Sequence, residues 1–391
     1  WKAGRREQGA RAVASHTASM TGRYELYRAA LAQAGIIEVD GIDEIVDLAH
    51  AFDSNRTPRG ARVGLTGGSG GAAIVFADAC DELGVEIPAL TPPTVAALGA
   101  RLPVSPRGNP VDYTGGWLDD PNVGTFRAVV RLLAGDANVD QVCIMFSTAQ
   151  GKPALNGAQV LAELAAHSDK PILVFSSAPP DSIAPVLDIL RAARIPVLGS
   201  PQGLARAVAV TAAFAQARAR LAAVPPLPAE HRPPAAQGRH VLNEYESKQW
   251  LAARGVAVTP DRVLAVDGAI PADIAYPVAA KVLARDLPHK SDTGGVALGL
   301  AGDAALRVAI ARMLERVRAA APRIALEGVL VCPMIDDALE AIVGVVNDAV
   351  FGPVVALGLG GTLAEILRDV SYRVAPFDVP EAHAMIDALR G

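Results

Sequence analysis

The chain of 391 residues has the composition of an ordinary globular protein, with 51% hydrophobic and 20% charged residues. Its net charge of −5 argues against a nucleic-acid-binding surface, which needs a clustered basic face. At roughly 150 residues per domain, we expect two or three domains.

Cysteine usage and hydropathy favour a cytoplasmic protein without a membrane partner. Cys80, Cys143 and Cys332 lie far apart, each in an apolar stretch, and are predicted to be buried, reduced thiols. No apolar stretch approaches the ~20 residues that a membrane-spanning helix needs.

The first predicted elements are two short helices within residues 22–54, where apolar residues recur at helical spacing. From residue 59 to residue 223, short apolar strands alternate with amphipathic helices. The strands are predicted at ARVGLTG, VDQVCIMFS, PILVFSS and IPVLGS, and the helices between them include AAIVFADACDELG and LNGAQVLAELAAHSD. This alternation indicates an α/β fold with a parallel sheet that helices cover on both faces.

The pattern changes after residues 224–239, VPPLPAEHRPPAAQGR, which are rich in proline and predict an interdomain linker. Beyond them, NEYESKQWLAARG predicts a helix, YPVAAKVLA and GGVALGL predict strands, and a long helix precedes three further strands. Because these strands cluster in pairs, we expect an α+β domain with antiparallel strands.

The segment GLTGGSGGAAIVF (64–76) predicts a glycine-rich turn between a strand and a helix. Such a turn presents backbone N–H groups at the positive end of a helix, which suits an anion. The segment lacks both the GxGxxG spacing of dinucleotide-binding folds and the GK[ST] ending of a P-loop. An ordinary tight turn is the alternative, although it would not require so many glycines.

Two histidines lie in polar segments. His16 is surrounded by hydroxyl residues in VASHTASMTG, and composition alone leaves open whether it is a loop residue or a nucleophile. A neutral imidazole is a good nucleophile near pH 7 because its ordinary pKa is about 6.5. His289 begins HKSDTGG (289–295), whose composition favours a mobile phosphate-handling loop over a structural turn.

Lys281 and Glu340 are weaker candidates. Lys281 lies inside the apolar strand YPVAAKVLA, where it must reach the rim or pair with an anion, because an unpaired buried charge is costly. Glu340 could accept hydrogen bonds from a ribose, and a surface carboxylate of no special role is an equal alternative.

Five stretches taken together resemble the NDP-forming acyl-CoA synthetases, which are relatives of succinyl-CoA synthetase. In chain order they are KAGRREQGARAVASHTASMTG, GLTGGSGG with NPVDYTGG, LNEYESKQWLAARGV, HKSDTGGV and FGPVVALGLGGTLAEILRDVSYRVAP. The resemblance implies flavodoxin-like parallel-sheet CoA-ligase domains followed by an ATP-grasp α+β domain. It puts the end of a phosphohistidine domain at 1–57, a second flavodoxin-like domain at 58–223, the linker at 224–239 and the ATP-grasp domain at 240–391.

The resemblance also implies a reaction. A carboxylic acid, CoA and ATP would be converted reversibly into acyl-CoA, ADP and phosphate. His16 matches the histidine that is phosphorylated, and His289 matches a second histidine on a swinging loop that carries phosphate. The remaining implied contacts are Ser15, Thr17, Gly67, Gly68, Ser69, Gly70 and Gly71 for phosphate, Lys281 for the ATP phosphates, Val331, Cys332 and Pro333 for adenine, and Glu340 for ribose.

The implied ligands are ATP, Mg²⁺ and coenzyme A, and the implied assembly is a homo-oligomer. We expect the family's CoA-binding domain before Trp1 and the Mg²⁺ ligands after Gly391, so that the chain alone would not complete a turnover. Two alternatives stay open. A regulatory module fused to an acetyltransferase would bind ligand without turnover, although the presence of both His16 and His289 favours an enzyme. A carboxylate–amine ligase would leave the parallel sheet unexplained.

Overall fold

The computed structural model describes all residues except 3–4, 6–7, 9–22, 55, 103–107, 113–117, 224–240, 288–289, 336–337, 361–368 and 391. The chain forms two compact units, one of Trp1–Leu227 with Ile342–Gly391 and the other of Pro228–Ala341. The predicted linker at 224–239 lies outside the described residues.

The first unit begins with the two predicted helices, α1 (Tyr24–Gln33) and α2 (Ile42–Asp53). Strands and helices then follow in turn. They are β1 (Val63–Gly67), α3 (Gly70–Leu83), α4 (Pro92–Gly99), β2 (Val111–Asp112), α5 (Val123–Gly135), β3 (Gln141–Ser147), α6 (Gly151–Ala165), β4 (Ile172–Ser176), α7 (Ala184–Ala192), β5 (Val197–Leu198) and α8 (Pro201–Ala223). The four predicted strands are present, whereas α4, β2 and α5 are elements that were not predicted. A short 3-10 helix, Pro180–Ile183, precedes α7.

The five strands form one parallel sheet in the order β2–β1–β3–β4–β5. This is the flavodoxin-like order, in which the direction of winding reverses between β1 and β3. Both β1 and β4 are buried along their whole length, as expected for parallel strands covered on both faces. The predicted α/β class is confirmed.

Alternate side chains of the central strand supply the cores on the two faces of the sheet. Val142, Ile144 and Phe146 belong to one cluster, together with residues of α5, α6 and α7. Cys143 and Met145 belong to the other, together with residues of α3 and α8. Because side chains alternate along a strand, a strand covered on both faces has to be apolar throughout.

The second unit contains an antiparallel sheet and two helices, α9 (Glu244–Ala252) and α10 (Asp303–Ala320). The strands are β6 (Arg262–Leu264), β7 (Val278–Leu283), β8 (Val296–Leu300) and β9 (Gly328–Pro333), in the order β6–β9–β7–β8. The expected antiparallel pairing is confirmed.

The two faces of this sheet pack on different helices. Val282 and Val331 lie in a cluster with Leu314 and Val317 of α10. Leu283, Leu330 and Cys332 form a smaller cluster with Tyr245 of α9. The face toward α9 is the one that carries Lys281, because Lys281 and Leu283 are two residues apart on β7.

The remaining strands belong to the first unit from Ile342 onward. β10 (Ala341–Asp348), β11 (Gly352–Leu359) and β12 (Val370–Val374) form a three-stranded sheet, followed by α11 (Val379–Asp387). The Gln33 side chain at the end of α1 donates to the carbonyl of Val374 at 2.9 Å and accepts from its amide at 2.8 Å. This pair of hydrogen bonds fixes β12 against α1.

Across the described residues, no helix is both long and apolar enough to cross a membrane. Cys80, Cys143 and Cys332 are buried free thiols, as predicted.

Candidate functional site

The glycine-rich turn joins β1 to α3 at the carboxyl end of the parallel sheet. β1 ends at Gly67, between its neighbours β2 and β3, and α3 begins at Gly70. In open α/β sheets, ligands bind at this edge where the winding reverses, which here is between β1 and β3. The candidate anion site therefore lies at the switch point of the sheet.

Packing explains why the turn begins with a glycine. A Cβ added at Gly67 would lie 2.4 Å from Cβ of Met145 and 2.8 Å from the Met145 carbonyl oxygen. The following residues Gly68, Gly70 and Gly71 are exposed. Because they carry no side chains, the backbone at the start of α3 is exposed, and Oδ2 of Asp112 lies 3.9 Å from where a Cβ at Gly70 would be.

Ser69 caps α3 only weakly. Its Oγ accepts from the amide of Ala72 at 3.4 Å, which is longer than the roughly 2.7–3.2 Å of most N–H···O bonds. The first N–H groups of a helix have no partner inside the helix and carry a partial positive charge. The N-terminus of α3 thus presents amides that a phosphoryl group could bind.

Ser147 ends β3 at the same edge of the sheet and was missed by sequence reasoning. Its φ is 53°, in the left-handed region, and the pairing of β3 with β4 is irregular at this residue. Its hydroxyl oxygen is buried without a hydrogen-bond partner among the described residues. A strained residue with an orphan buried hydroxyl is typical of a ligand site, but no motif spacing signals it.

In the second unit, Lys281 lies beside the predicted adenine hinge. Lys281 pairs with Leu330 of β9, and the three preceding residues of β7 pair with Val331, Cys332 and Pro333. Val331 and Cys332 are buried. The register of β7 and β9 therefore brings together the predicted ATP-binding residues of these two strands.

The Glu244 carboxylate forms ion pairs with two lysines. Its Oε1 accepts from Nζ of Lys281 at 2.7 Å, and its Oε2 accepts from Nζ of Lys290 at 2.8 Å. Glu244 is the first residue of α9, where the helix dipole favours an acid. Neither Glu244 nor Lys290 was among the predicted site residues. They stand 37 and 46 positions from their partners, so a local pattern could not reveal the contact.

The pKa values in this group follow from the pairing. Burial by itself would raise the pKa of the Glu244 carboxyl, but the hydrogen bonds and charges of Lys281 and Lys290 outweigh burial and lower it. Burial would also lower the pKa of the Lys281 ammonium, but Glu244 raises it above its ordinary value. Glu244 and Lys281 therefore both stay charged at neutral pH.

A further ion pair lies beside the hinge. Lys248 donates to Asp261 at 2.6 Å and to Thr259 at 2.8 Å, and its Nζ is 4.0 Å from Sγ of Cys332. Burial raises the pKa of the Cys332 thiol to about 11. The hinge thus presents a neutral thiol, and the charge of Lys248 is balanced by Asp261.

Among the remaining predicted site residues, the structure describes Glu340 alone. Glu340 is exposed immediately before β10. Ser15, His16, Thr17 and His289 lie outside the described residues. In the part of the chain that the structure describes, no group of three His, Cys, Asp or Glu side chains could hold a metal ion.

Comparison with known proteins places the chain in a family. A model of the succinyl-CoA ligase like flavodoxin domain matches residues 1–52, and a model of the ATP-grasp domain matches residues 234–391. The chain is 36% identical to the beta subunit of acetate–CoA ligase (ADP-forming) I of Pyrococcus furiosus, over 41% of this chain and 68% of that subunit. The chain belongs to the family of ADP-forming acyl-CoA ligases. The resemblance noted in the sequence is confirmed.

Two longer members of the family match nearly the whole chain. Acetate–CoA ligase (ADP-forming) I of Archaeoglobus fulgidus is 33% identical over 98% of this chain and 56% of its own length. A trans-feruloyl-CoA synthase of an unidentified prokaryote is 32% identical over 96% of this chain and 53% of its own length. The chain thus spans about half the length of these two relatives.

Proposed function

We propose that the protein catalyses the reversible, ATP-dependent formation of an acyl-CoA thioester from a carboxylic acid and CoA, with release of ADP and phosphate. The observation that carries the proposal is the match to an acetate–CoA ligase over 98% of the chain, which includes both compact units. The relatives described above are named as CoA ligases or synthases, which favours an enzyme over a regulatory module.

In the proposed first stage, an imidazole nitrogen of His289 forms a bond to the γ-phosphorus of ATP while the bond to the ADP oxygen breaks, and the phosphoryl group then passes from His289 to an imidazole nitrogen of His16. Lys281 would bind the phosphate chain, with the Val331–Pro333 segment holding adenine and Glu340 the ribose. A phosphohistidine needs hydrogen-bond donors around its dianionic group. Ser15, Thr17 and the amides of the Gly67–Gly71 turn are the residues we propose for that role.

In the second stage, a carboxylate oxygen of the acid takes the phosphoryl group from the histidine to give an acyl phosphate. The CoA sulfur then bonds to the acyl carbon and the thiol loses its proton, while phosphate leaves with the electrons of the broken C–O bond and takes up a proton. Dividing the reaction in this way replaces one difficult transfer by easier ones. Mg²⁺ would assist the ATP step by neutralising charge on the phosphates.

Phosphate labelling tests the assignment of His16. Full-length protein incubated with γ-labelled ATP should acquire a label that is lost in acid and stable in base. Peptide mapping should find the label on the segment that carries His16 in wild type and in His167→Asn, which changes an exposed histidine on another segment, but not in His16→Asn. Label that persists on that segment in the His16 variant would contradict the assignment of His16.

His289 is proposed to carry phosphate between sites rather than to bind nucleotide. His289→Ala should slow labelling of His16 and leave the affinity for ATP nearly unchanged. Equal losses of labelling and of ATP affinity would make His289 an ordinary residue of the nucleotide pocket.

The relatives are named for acids as different as acetate and ferulate, so family membership does not select one substrate. ADP release, measured with CoA and a panel of short-chain, branched and aromatic acids, identifies the acid. The domain boundaries, the CoA-binding domain before Trp1 and the homo-oligomer stay predictions, which the full-length protein can test.

A further inference from the structure

The ion pairs of Glu244 form a group that the proposed reaction does not explain. We call Glu244, Lys281 and Lys290 the lysine cluster. Its side chains are largely withdrawn from solvent, with 24% of Glu244, 30% of Lys281 and 16% of Lys290 exposed. Each oxygen of one carboxylate accepts from a different ammonium group, at 2.7 and 2.8 Å. The oxygens of a phosphoryl group are spaced much like those of a carboxylate, so it could accept from both ammonium groups in the same way.

We propose that Glu244 is a built-in counter-ion that stands, in the nucleotide-free protein, where a phosphate of the nucleotide binds, and that the phosphate displaces it. The inference rests on the proposed function, because it takes Lys281 as a residue that binds the phosphates of ATP.

A purely structural role for Glu244 is the main alternative, and its neighbours already perform that role. The start of α9 is closed by a capping box in which Asn243 and Glu246 exchange side-chain and backbone hydrogen bonds. Asn243 also donates to Glu327 at 2.6 Å, and Arg285 pairs with Glu246 at 2.8 Å. These contacts anchor the first turn of α9 without any contribution from Glu244.

A counter-ion explains how two lysines can remain together in a partly buried site. Without an anion, the two ammonium groups would repel each other and lose hydration. With Glu244 in place, an incoming ligand must bring more negative charge than one carboxylate in order to compete for both lysines. A triphosphate meets this condition, and a carboxylic acid does not. Glu244 would therefore keep the acid substrate out of the nucleotide site.

The test compares Glu244→Gln with wild type in the full-length protein, using calorimetric titration with ATP, inorganic tripolyphosphate and adenosine. The amide of glutamine keeps the shape of the side chain but competes weakly for the lysines. We expect the variant to bind ATP and tripolyphosphate about tenfold more tightly, or about 1.4 kcal/mol. Adenosine affinity should not change, because adenosine has no phosphate.

Glu246→Gln is the matched control, since it removes the same charge two residues along the same turn. Glutamine can also serve in a capping box, so α9 should remain capped. All three affinities should equal those of wild type. An equal gain in phosphate affinity in Glu246→Gln would assign the effect to net charge and overturn the proposal.

The remaining outcomes separate this inference from the proposed function. If wild type binds ATP and Glu244→Gln binds it no more tightly, the counter-ion proposal is wrong and the proposed function still stands. Absence of ATP binding in both proteins overturns the proposed function and the inference with it. Should Glu244→Gln unfold, Glu244→Asp replaces it. Its shorter side chain holds the lysines less well, so it should still bind tripolyphosphate more tightly than wild type, and equal or weaker binding overturns the proposal.

Discussion

Two helices begin at candidate phosphate sites, and the groups that would bind phosphate differ between the two sites. At the start of α3, Ser69 accepts from Ala72 at 3.4 Å and the neighbouring glycines are exposed. At the start of α9, Asn243 and Glu246 exchange hydrogen bonds of 2.9 Å, and the charged groups lie on side chains. The first site would bind phosphate through open amides, and the second through lysines that a carboxylate already neutralises.

This difference fits two different tasks. A site of backbone amides has a fixed geometry and carries no full charge, so it can stabilise a covalently attached phosphoryl group without holding a free anion tightly. A site with lysines attracts a highly charged ligand from solution, but it needs a counter-ion while it is empty.

The largest expected effect is on the packing beneath the amide site. Gly67→Ala would place a Cβ against both Cβ and the carbonyl of Met145, so β1 and β3 would have to move apart. We expect the free energy of unfolding to fall by about 3 kcal/mol in urea denaturation. Gly124→Ala in α5 is the control, because an added Cβ there meets nothing within 4 Å. A fall as large in the control would show that any new methyl group is destabilising.

Asp136 is a buried acid of the first unit whose carboxylate accepts hydrogen bonds from neutral groups, while Lys170 donates to its backbone carbonyl at 2.5 Å. It is 2% exposed, and its carboxylate accepts from the amide and hydroxyl of Thr91 and from the amide of Asn138. An asparagine can accept at only one of the two oxygen positions. Asp136→Asn should therefore lower the free energy of unfolding by about 2 kcal/mol, and Asp188→Asn at an exposed position should not.

The Asp136 carboxyl should also make the free energy of unfolding depend on pH. Burial would raise the pKa of Asp136, but the hydrogen bonds from Thr94, Thr91 and Asn138 outweigh burial and lower it. A lowered pKa in the folded state means that the stabilisation is present above the unfolded value of about 3.9 and is lost as the pH falls through the folded value. Urea denaturation at pH 6 and at pH 3 should show this loss in wild type and a smaller one in Asp136→Asn.

The sequence predicts the elements whose signal is local. Continuous apolar stretches predict the buried strands of the parallel sheet, and the glycines predict the turn after β1. The predicted start of α6, Leu155, was wrong by four residues, because the helix begins at Gly151. Pro153 suggests a break in the sequence, but proline is tolerated in the first turn of a helix.

Long-range geometry accounts for what could not be predicted. The positive φ of Ser147 occurs where the pairing of β3 with β4 becomes irregular, which no neighbouring residue reveals. Glu244 contacts Lys281 because α9 covers the face of the antiparallel sheet that carries Lys281. The two residues are 37 positions apart, so no helical or strand periodicity in the sequence could reveal the contact. By contrast, the three-residue spacing of Asn243 and Glu246 was a readable signal of a capping box.

Removing the strong cap should cost more than removing the weak one. Asn243→Ala leaves the amide of Glu246 without its 2.9 Å acceptor and Glu327 without its 2.6 Å donor. We expect a local loss of about 1–2 kcal/mol at the start of α9, measured as faster hydrogen exchange of the peptide that covers this helix.

The smallest expected effect is at Ser69. Because its bond to Ala72 is 3.4 Å long, Ser69→Ala should change hydrogen exchange at the start of α3 by no more than about 0.5 kcal/mol. A loss equal to that of Asn243→Ala would mean that Ser69 caps α3 as strongly as Asn243 caps α9, and the amide site would then have a competing acceptor of its own. Hydrogen exchange at the α3 amides can also be measured with inorganic phosphate present. If phosphate slows this exchange equally in wild type and in Ser69→Ala, the anion binds to the backbone amides and not to the serine hydroxyl.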